Sequence, residues 1–242
     1  MSRAADLDRF YDLLADLSDR VGGARRLKDC TGYMDWPDRG VYVFLAPGET
    51  RADSNEPRVT RVGTHAVSAG SGTSLWDRLK QHYGTGDGSS DHPHGGNHRG
   101  SVYRLRVGEA LAERYDLRGE YPDWGTRWSG VERERDAVRD GEYPLERRVS
   151  TYLRDQPFLW VGIDDEPGPD SDRAFVERNA IALLSNRDRP AVDPRRDVWL
   201  GRDSRSPAIR ASGLWNVDHT DESYDPAFLD TLAEAVARTD GV

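Results

Sequence analysis

The chain has 242 residues, with 34 Lys plus Arg against 43 Asp plus Glu, and the resulting charge of −9 excludes a generally basic nucleic-acid coat. Hydrophobic residues make up 36%, with 7 Trp and 10 Tyr, which supplies a packed core and excludes disorder throughout. The longest apolar run, residues 41–46, falls far short of the roughly 20 that span a bilayer, and Asp6, Asp8 and Arg9 occupy the place of a signal-peptide core. The expectation is a cytoplasmic protein with no membrane partner.

Leu7, Phe10, Leu14, Leu17 and Val21 recur at helical spacing and Gly22-Gly23 follows them, so an N-terminal amphipathic helix is expected. Cys30, the single cysteine, excludes an internal disulfide and a paired-cysteine zinc ribbon and reads as a small buried residue. The two lysines, Lys28 and Lys80, each follow a leucine, so there is no Gly-Lys phosphate loop. Arg26 and Arg78 stand two places before them, which excludes a Glu-x-Lys nuclease triad. Residues 40–46 read as a buried strand ending at Pro47-Gly48, and 58–64 as a second strand. Thr73 or Ser74 caps a helix carrying Leu75, Trp76, Leu79 and Tyr83, which Gly84 ends.

Residues 84–100, rich in Gly, Ser and His, read as a loop, and the alternation of 101–107 reads as a third strand. An acid-rich stretch follows, with helices expected near 110–115 and 145–154. A buried strand at 157–163 and a helix at 174–186 come next, and the last helix spans 226–237 with Pro226 in its first turn. The fold class is α+β: a small mixed or antiparallel sheet flanked by helices. The expected organisation is an N-terminal helical extension (1–39), a core (40–187) with an insertion at about 109–156, and a C-terminal appendage (188–242).

Between Arg58 and Arg106 seven basic residues oppose Asp77, Asp87 and Asp91, and five of the six histidines fall in the same window, so an acidic chain presents one positive face suited to a polyanion. At about 100° per residue, Arg78 and His82 border the apolar stripe of their helix and, as i, i+4 neighbours, reach one point. In the later helix Glu177 lies inside the apolar arc of Val176, Ala180, Ile181 and Leu184. A carboxylate there requires a cationic partner, a metal or a proton.

Gly40-Val41-Tyr42, then Arg61-Val62-Gly63, then an Arg-x-x-x-His helix, then a helical Glu and a downstream Asn resemble the GIY-YIG nuclease family over about 40–186. The resemblance implies a metal-dependent endonuclease that hydrolyses DNA phosphodiesters with one Mg²⁺ or Mn²⁺. It implies Tyr42 as general base oriented by His82, Arg78 neutralising phosphate charge, Glu177 as metal ligand, and Arg61, Gly63, His65 and Asn186 positioning substrate. Arg61 stands where the family has its second tyrosine and cannot act as a neutral phenol; His65 is the candidate to replace it. Two other classes stand beside this one: a non-catalytic nucleic-acid-binding derivative of the same fold, and a zinc-dependent hydrolase built on His92, His94 and His98. The terminal segments are expected to supply target recognition or a homodimer interface. Trp199 and Trp215 suit either packing or base stacking.

Overall fold

The computed structural model describes residues 2–52, 54–86 and 91–241. Helix α1, Arg3–Val21, is capped by Ser2, whose hydroxyl accepts the Ala5 N–H, and closes at Gly22 with φ 75°. After the two-residue strand β1, Arg25–Arg26, come β2, Gly40–Thr50, and β3, Pro57–Gly63. Helix α2, Leu75–Tyr83, opens on a reciprocal capping box in which Ser74 and Asp77 bond each other's backbone N–H. Helix α3 is Val102–Arg114, α4 is Arg135–Asp155, β4 is Pro157–Gly162 and α5 is Asp172–Leu184. Two further helices, α6, Pro207–Ser212, and α7, Phe228–Arg238, complete the set.

The four strands lie in the order β1-β4-β2-β3, antiparallel throughout. Strand β2 is therefore flanked on both edges, which accounts for its unbroken apolar run: Val41 to Ala46 are all buried. The apolar stripe of α1 packs toward α5 and α7. Phe10 meets Phe228 at a ring separation of 6.4 Å. Cys30 is buried, and burial pushes its thiol up to about 11.

Residues 101–107 correct the sequence reading, being the first half of α3 rather than a strand. The alternation VYRLRV is also compatible with a helix, and tertiary burial selects that period: Tyr103, Val107, Ala110 and Leu111, at i, i+4, i+7 and i+8, all face the core. Ser101 starts the helix by accepting the Arg104 N–H. The helix expected at 110–115 is the second half of the same element. Helix α4 begins well before the expected 145 and contains Pro144. Pro226 lies in the turn ahead of α7 rather than in its first turn. The strand β1, only two residues long, carries no pattern that a sequence reading detects.

The loop expected at 84–100 is irregular apart from a short 3₁₀ turn, His98–Gly100; residues 87–90, including Asp87, lie outside the described residues. The free edge of β3 is covered from the C-terminal segment. The Trp215 N–H donates to the Thr60 carbonyl at 2.7 Å, and the Asn216 amide bonds both the N–H and the C=O of Val62 at 3.1 and 2.9 Å. Such a cover removes an open sheet edge. Trp199 and Trp215 are buried with ring centroids 5.2 Å apart, which assigns them to packing. No helix among the described residues is long and apolar enough to cross a membrane.

Candidate functional site

The site grows from the pairing of Tyr42 on β2 with Gly63 on β3. A Cβ at residue 63 would lie 2.4 Å from both Cζ and Oη of Tyr42, so only glycine lets the phenol lie flat across the neighbouring strand. The ring is fully buried, and Oη is 2.8 Å from Nε2 of His82. His82 comes from the last turn of α2, also fully buried, and is enclosed by the rings of Tyr42, Phe44 and Tyr103. Its Nδ1 lies 3.1 Å from the Ser101 hydroxyl. Burial, reinforced by the charges of Arg61, Arg78 and Arg104, holds the His82 pKa well below the usual histidine value, so the ring is neutral.

Beside Gly63, the Thr64 N–H donates to Glu177 Oε1 at 3.1 Å, bringing α5 to the end of β3. Through Gly63 and standard backbone lengths, the Tyr42 and Glu177 oxygens lie within about 9 Å of each other. Glu177 is half-buried, and burial raises its carboxyl pKa above the usual 4.5 against the pull of Arg61, the Thr64 N–H, His219 and Arg78. The cationic partner that the apolar arc calls for is therefore present as a field rather than a contact. Among the described residues no cation comes within ion-pair distance of Glu177, and its second oxygen accepts no hydrogen bond.

The surrounding cations are held by other means. Arg61 is buried with its guanidinium 4.7 Å from the Tyr103 ring centroid, donates a long 3.4 Å bond to the Trp215 carbonyl, and leaves Nε without a partner. Arg78 is half-buried, donates to Gln81 at 2.7 Å and likewise leaves Nε unpaired. His65, just after Thr64, donates Nδ1–H to the Thr73 carbonyl at 2.8 Å, which leaves a bare, buried Nε2 without a partner among the described residues. Its pKa falls to about 4 through burial, with Arg173, Arg78 and Arg39 adding to the effect against the Thr73 bond.

Of the residues singled out from the sequence, Tyr42, Gly63 and His82 are in direct contact and Glu177 joins them through Thr64. Arg61 and Arg78 act on both His82 and Glu177 through their charge. Asn186 is not brought into this group of contacts. Its amide donates to the Asp193 carbonyl and its oxygen accepts from Arg3 and Val192, fixing the start of the C-terminal segment. The zinc reading is corrected: His92 bonds Asp140, His94 bonds Arg154, and His98 bonds Glu146 while stacking on Trp124 at 3.9 Å. Three histidines turned to three different partners form no ligand set, and no group of three or more His, Cys, Asp or Glu among the described residues suits a metal.

Two residues of the site have no readable signal in the sequence. Ser101 looks like the start of a strand, and His219 stands alone in the C-terminal segment. His219 adopts φ 61°, unusual for a non-glycine residue. Its Nδ1 lies 2.8 Å from Glu222, and its charge is one of those acting on Glu177. Chemically, the arrangement is one under-compensated carboxylate, a phenol hydrogen-bonded to a neutral imidazole, and cations placed to meet an anion. A family model described as a GIY-YIG domain matches residues 1–242. No curated protein and no solved structure matches the chain.

Proposed function

The chain belongs to the GIY-YIG domain family, generally one of nucleases, and from that premise we propose that it is a divalent-metal-dependent endonuclease hydrolysing phosphodiester bonds of DNA. The observation that carries the reading is the state of Glu177: one oxygen anchored by the Thr64 N–H, the other unengaged among the described residues, and Arg61, Arg78 and His219 near enough to act on it without pairing. A buried ion pair would have consumed that carboxylate. As it stands, the residue fits a hard cation, which takes oxygen ligands and completes its shell with water and phosphate.

Mg²⁺ or Mn²⁺ held there would supply Lewis-acid polarisation of the phosphoryl group and stabilise the leaving oxygen. Arg78 and Arg61 then neutralise charge that builds on the phosphate oxygens, an effect strengthened by their partial or full burial. Tyr42 Oη, as the phenolate once its own proton has passed to solvent, takes a proton from the attacking water, the water oxygen bonds to phosphorus, and the phosphorus–oxygen bond of the leaving strand breaks. An ordinary tyrosine titrates near 10, so the phenol depends on its setting, and His82 is the group that touches it. Tyr42 is fully buried, so this role requires that water gain access to Oη when substrate docks. His65, with its bare Nε2, replaces the missing second tyrosine as an acceptor that orients water.

The test is incubation with supercoiled plasmid and, in parallel, with single-stranded RNA, in Mg²⁺, Mn²⁺ or EDTA over a range of salt. Metal-dependent nicking of the plasmid, abolished by EDTA, is expected. Tight, salt-sensitive binding without any cleavage would assign the chain instead to the non-catalytic, nucleic-acid-binding class.

A further inference from the structure

Helix α3 lies outside the elements to which the sequence assigns chemistry, yet it delivers a hydroxyl to the heart of the site. Ser101 is 3% exposed and its Oγ lies 3.1 Å from His82 Nδ1, on the opposite side of the imidazole from Tyr42. The same oxygen accepts the Arg104 N–H at 3.3 Å as the helix cap. Arg104 in turn donates to the His82 carbonyl at 2.9 Å and is anchored by Glu146 and Ser150 of α4. The serine, the imidazole and the phenol thus form one buried line whose far end is bolted to two helices.

Hydrogen counting decides the direction of that line for the ionised phenol, the form in which Tyr42 acts as a base. The groups facing His82 are Tyr42 from β2, Arg61 from β3, Arg78 on α2 itself, and Tyr103 and Arg104 from α3; with the ring buried and three cations around it, it is neutral and carries one hydrogen. Ser101, His82 and Tyr42 therefore bring three hydrogens to two gaps. If Nδ1 carried the imidazole hydrogen, Ser101 Oγ would receive two donors while its own hydrogen stayed buried with no acceptor among the described residues. If Ser101 donates to Nδ1, the imidazole hydrogen sits on Nε2 and points at Tyr42 Oη, and the surplus hydrogen is the phenol's own and equally buried, so with the phenol un-ionised each direction strands one hydrogen. Once Tyr42 has given that hydrogen to solvent, two hydrogens remain for two gaps, and only the direction from Ser101 through Nε2–H to the phenolate pairs every group in the line.

We propose that Ser101 is a positioning residue for the base: its hydroxyl fixes His82 in the Nε2–H tautomer, which donates to Tyr42 Oη and supports the phenolate that accepts the proton of the attacking water. The tautomer facing the phenolate stands on the hydrogen-bond geometry, whereas its use in catalysis rests on the nuclease reading above.

The tautomer is read directly from the imidazole ¹⁵N shifts of the isotopically labelled wild-type protein without substrate, as the pH is raised until the Tyr42 Cζ shift reports the phenolate, with Nε2 protonated and Nδ1 bare expected for His82 in that form. A protonated Nδ1 beside the phenolate would overturn the proposal, and this measurement needs no variant. Ser101→Asp and Ser101→Thr both keep a helix-capping oxygen, but aspartate has no hydrogen to donate. The expected outcome is that Ser101→Thr keeps the tautomer and cleaves within about twofold of wild type, while Ser101→Asp moves the hydrogen to Nδ1 and loses about tenfold or more in rate. Equal rates for two folded variants would overturn the role. A wild type that shows the expected tautomer but cuts nothing would overturn the nuclease reading and leave the geometry of the line intact.

Discussion

Adding a methyl group at Gly63 tests how tightly the site is built. The Cβ of Gly63→Ala would sit 2.4 Å from Tyr42 Cζ and Oη and 2.7 Å from Cε2, so the phenol has to retreat by about 1 Å to reach ordinary van der Waals contact. It has no free space to retreat into, since the ring is fully buried against Phe44 and His82. Overpacking of this kind costs about 1–3 kcal/mol, and stretching the 2.8 Å Tyr42–His82 bond forfeits about 1 kcal/mol more. For a chain of 242 residues the sum lowers the melting temperature by about 4–15 °C. Calorimetry of Gly63→Ala beside the wild type reads this directly. The double variant with Tyr42→Phe should lose less than the two single losses added together, because the removed hydroxyl is one of the clashing atoms. A Gly63→Ala protein melting within about 1 °C of wild type would refute the packing argument.

Three further expectations follow from the site. Glu177→Gln should stabilise the protein at neutral pH by about 1 kcal/mol, about 2–4 °C, because an under-compensated, half-buried charge is removed. Burial raises the folded-state pKa of Glu177, so its proton is bound more tightly in the folded than in the unfolded chain. The charge therefore costs stability above the folded pKa, and the advantage of glutamine should fade as pH falls below the ordinary value of 4.5; melting curves across that range check the sign. Arg104→Ala leaves Glu146 buried without its guanidinium and removes a support of His82, so a loss of about 3–5 kcal/mol in denaturant titrations is expected. Glu146 itself sits near about 2 despite burial, because His98 and Arg104 hold its charged form. Replacing His92 and His94 together by alanine should leave plasmid cleavage unchanged and release no zinc, measured by cleavage rate and metal analysis.

The elements closest to the site were the most legible, for a physical reason. Strand β2 runs through the middle of the sheet, so its apolar run is continuous and ends at Pro47-Gly48. Helix α2 declares its start by a capping box and its face by Leu75 and Leu79. Glu177 stood out because a carboxylate inside an apolar arc is costly, and the structure leaves it without an ion-pair partner among the described residues. What failed to show was whatever depends on long-range contact. The segment 101–107 satisfies both a two-residue and a helical period, and only burial of Tyr103 and Val107 against the sheet layer selects the helix. Ser101 and His219 reach the site through tertiary packing, and neither carries a local motif. Asn186 lay at a suitable spacing in the sequence, but its hydrogen bonds are spent on Arg3, Val192 and Asp193.

The central claim is that Glu177 holds the divalent ion with which the phosphodiester is cut. It is tested most directly by nicking of supercoiled plasmid in Mg²⁺ or Mn²⁺ by wild type and Glu177→Gln, each checked for folding by its melting curve. The account predicts metal-dependent nicking by the wild type and a loss of about 10²–10³-fold or more in a variant that melts at the same or a higher temperature. A folded Glu177→Gln protein that nicks plasmid at the wild-type rate would contradict it.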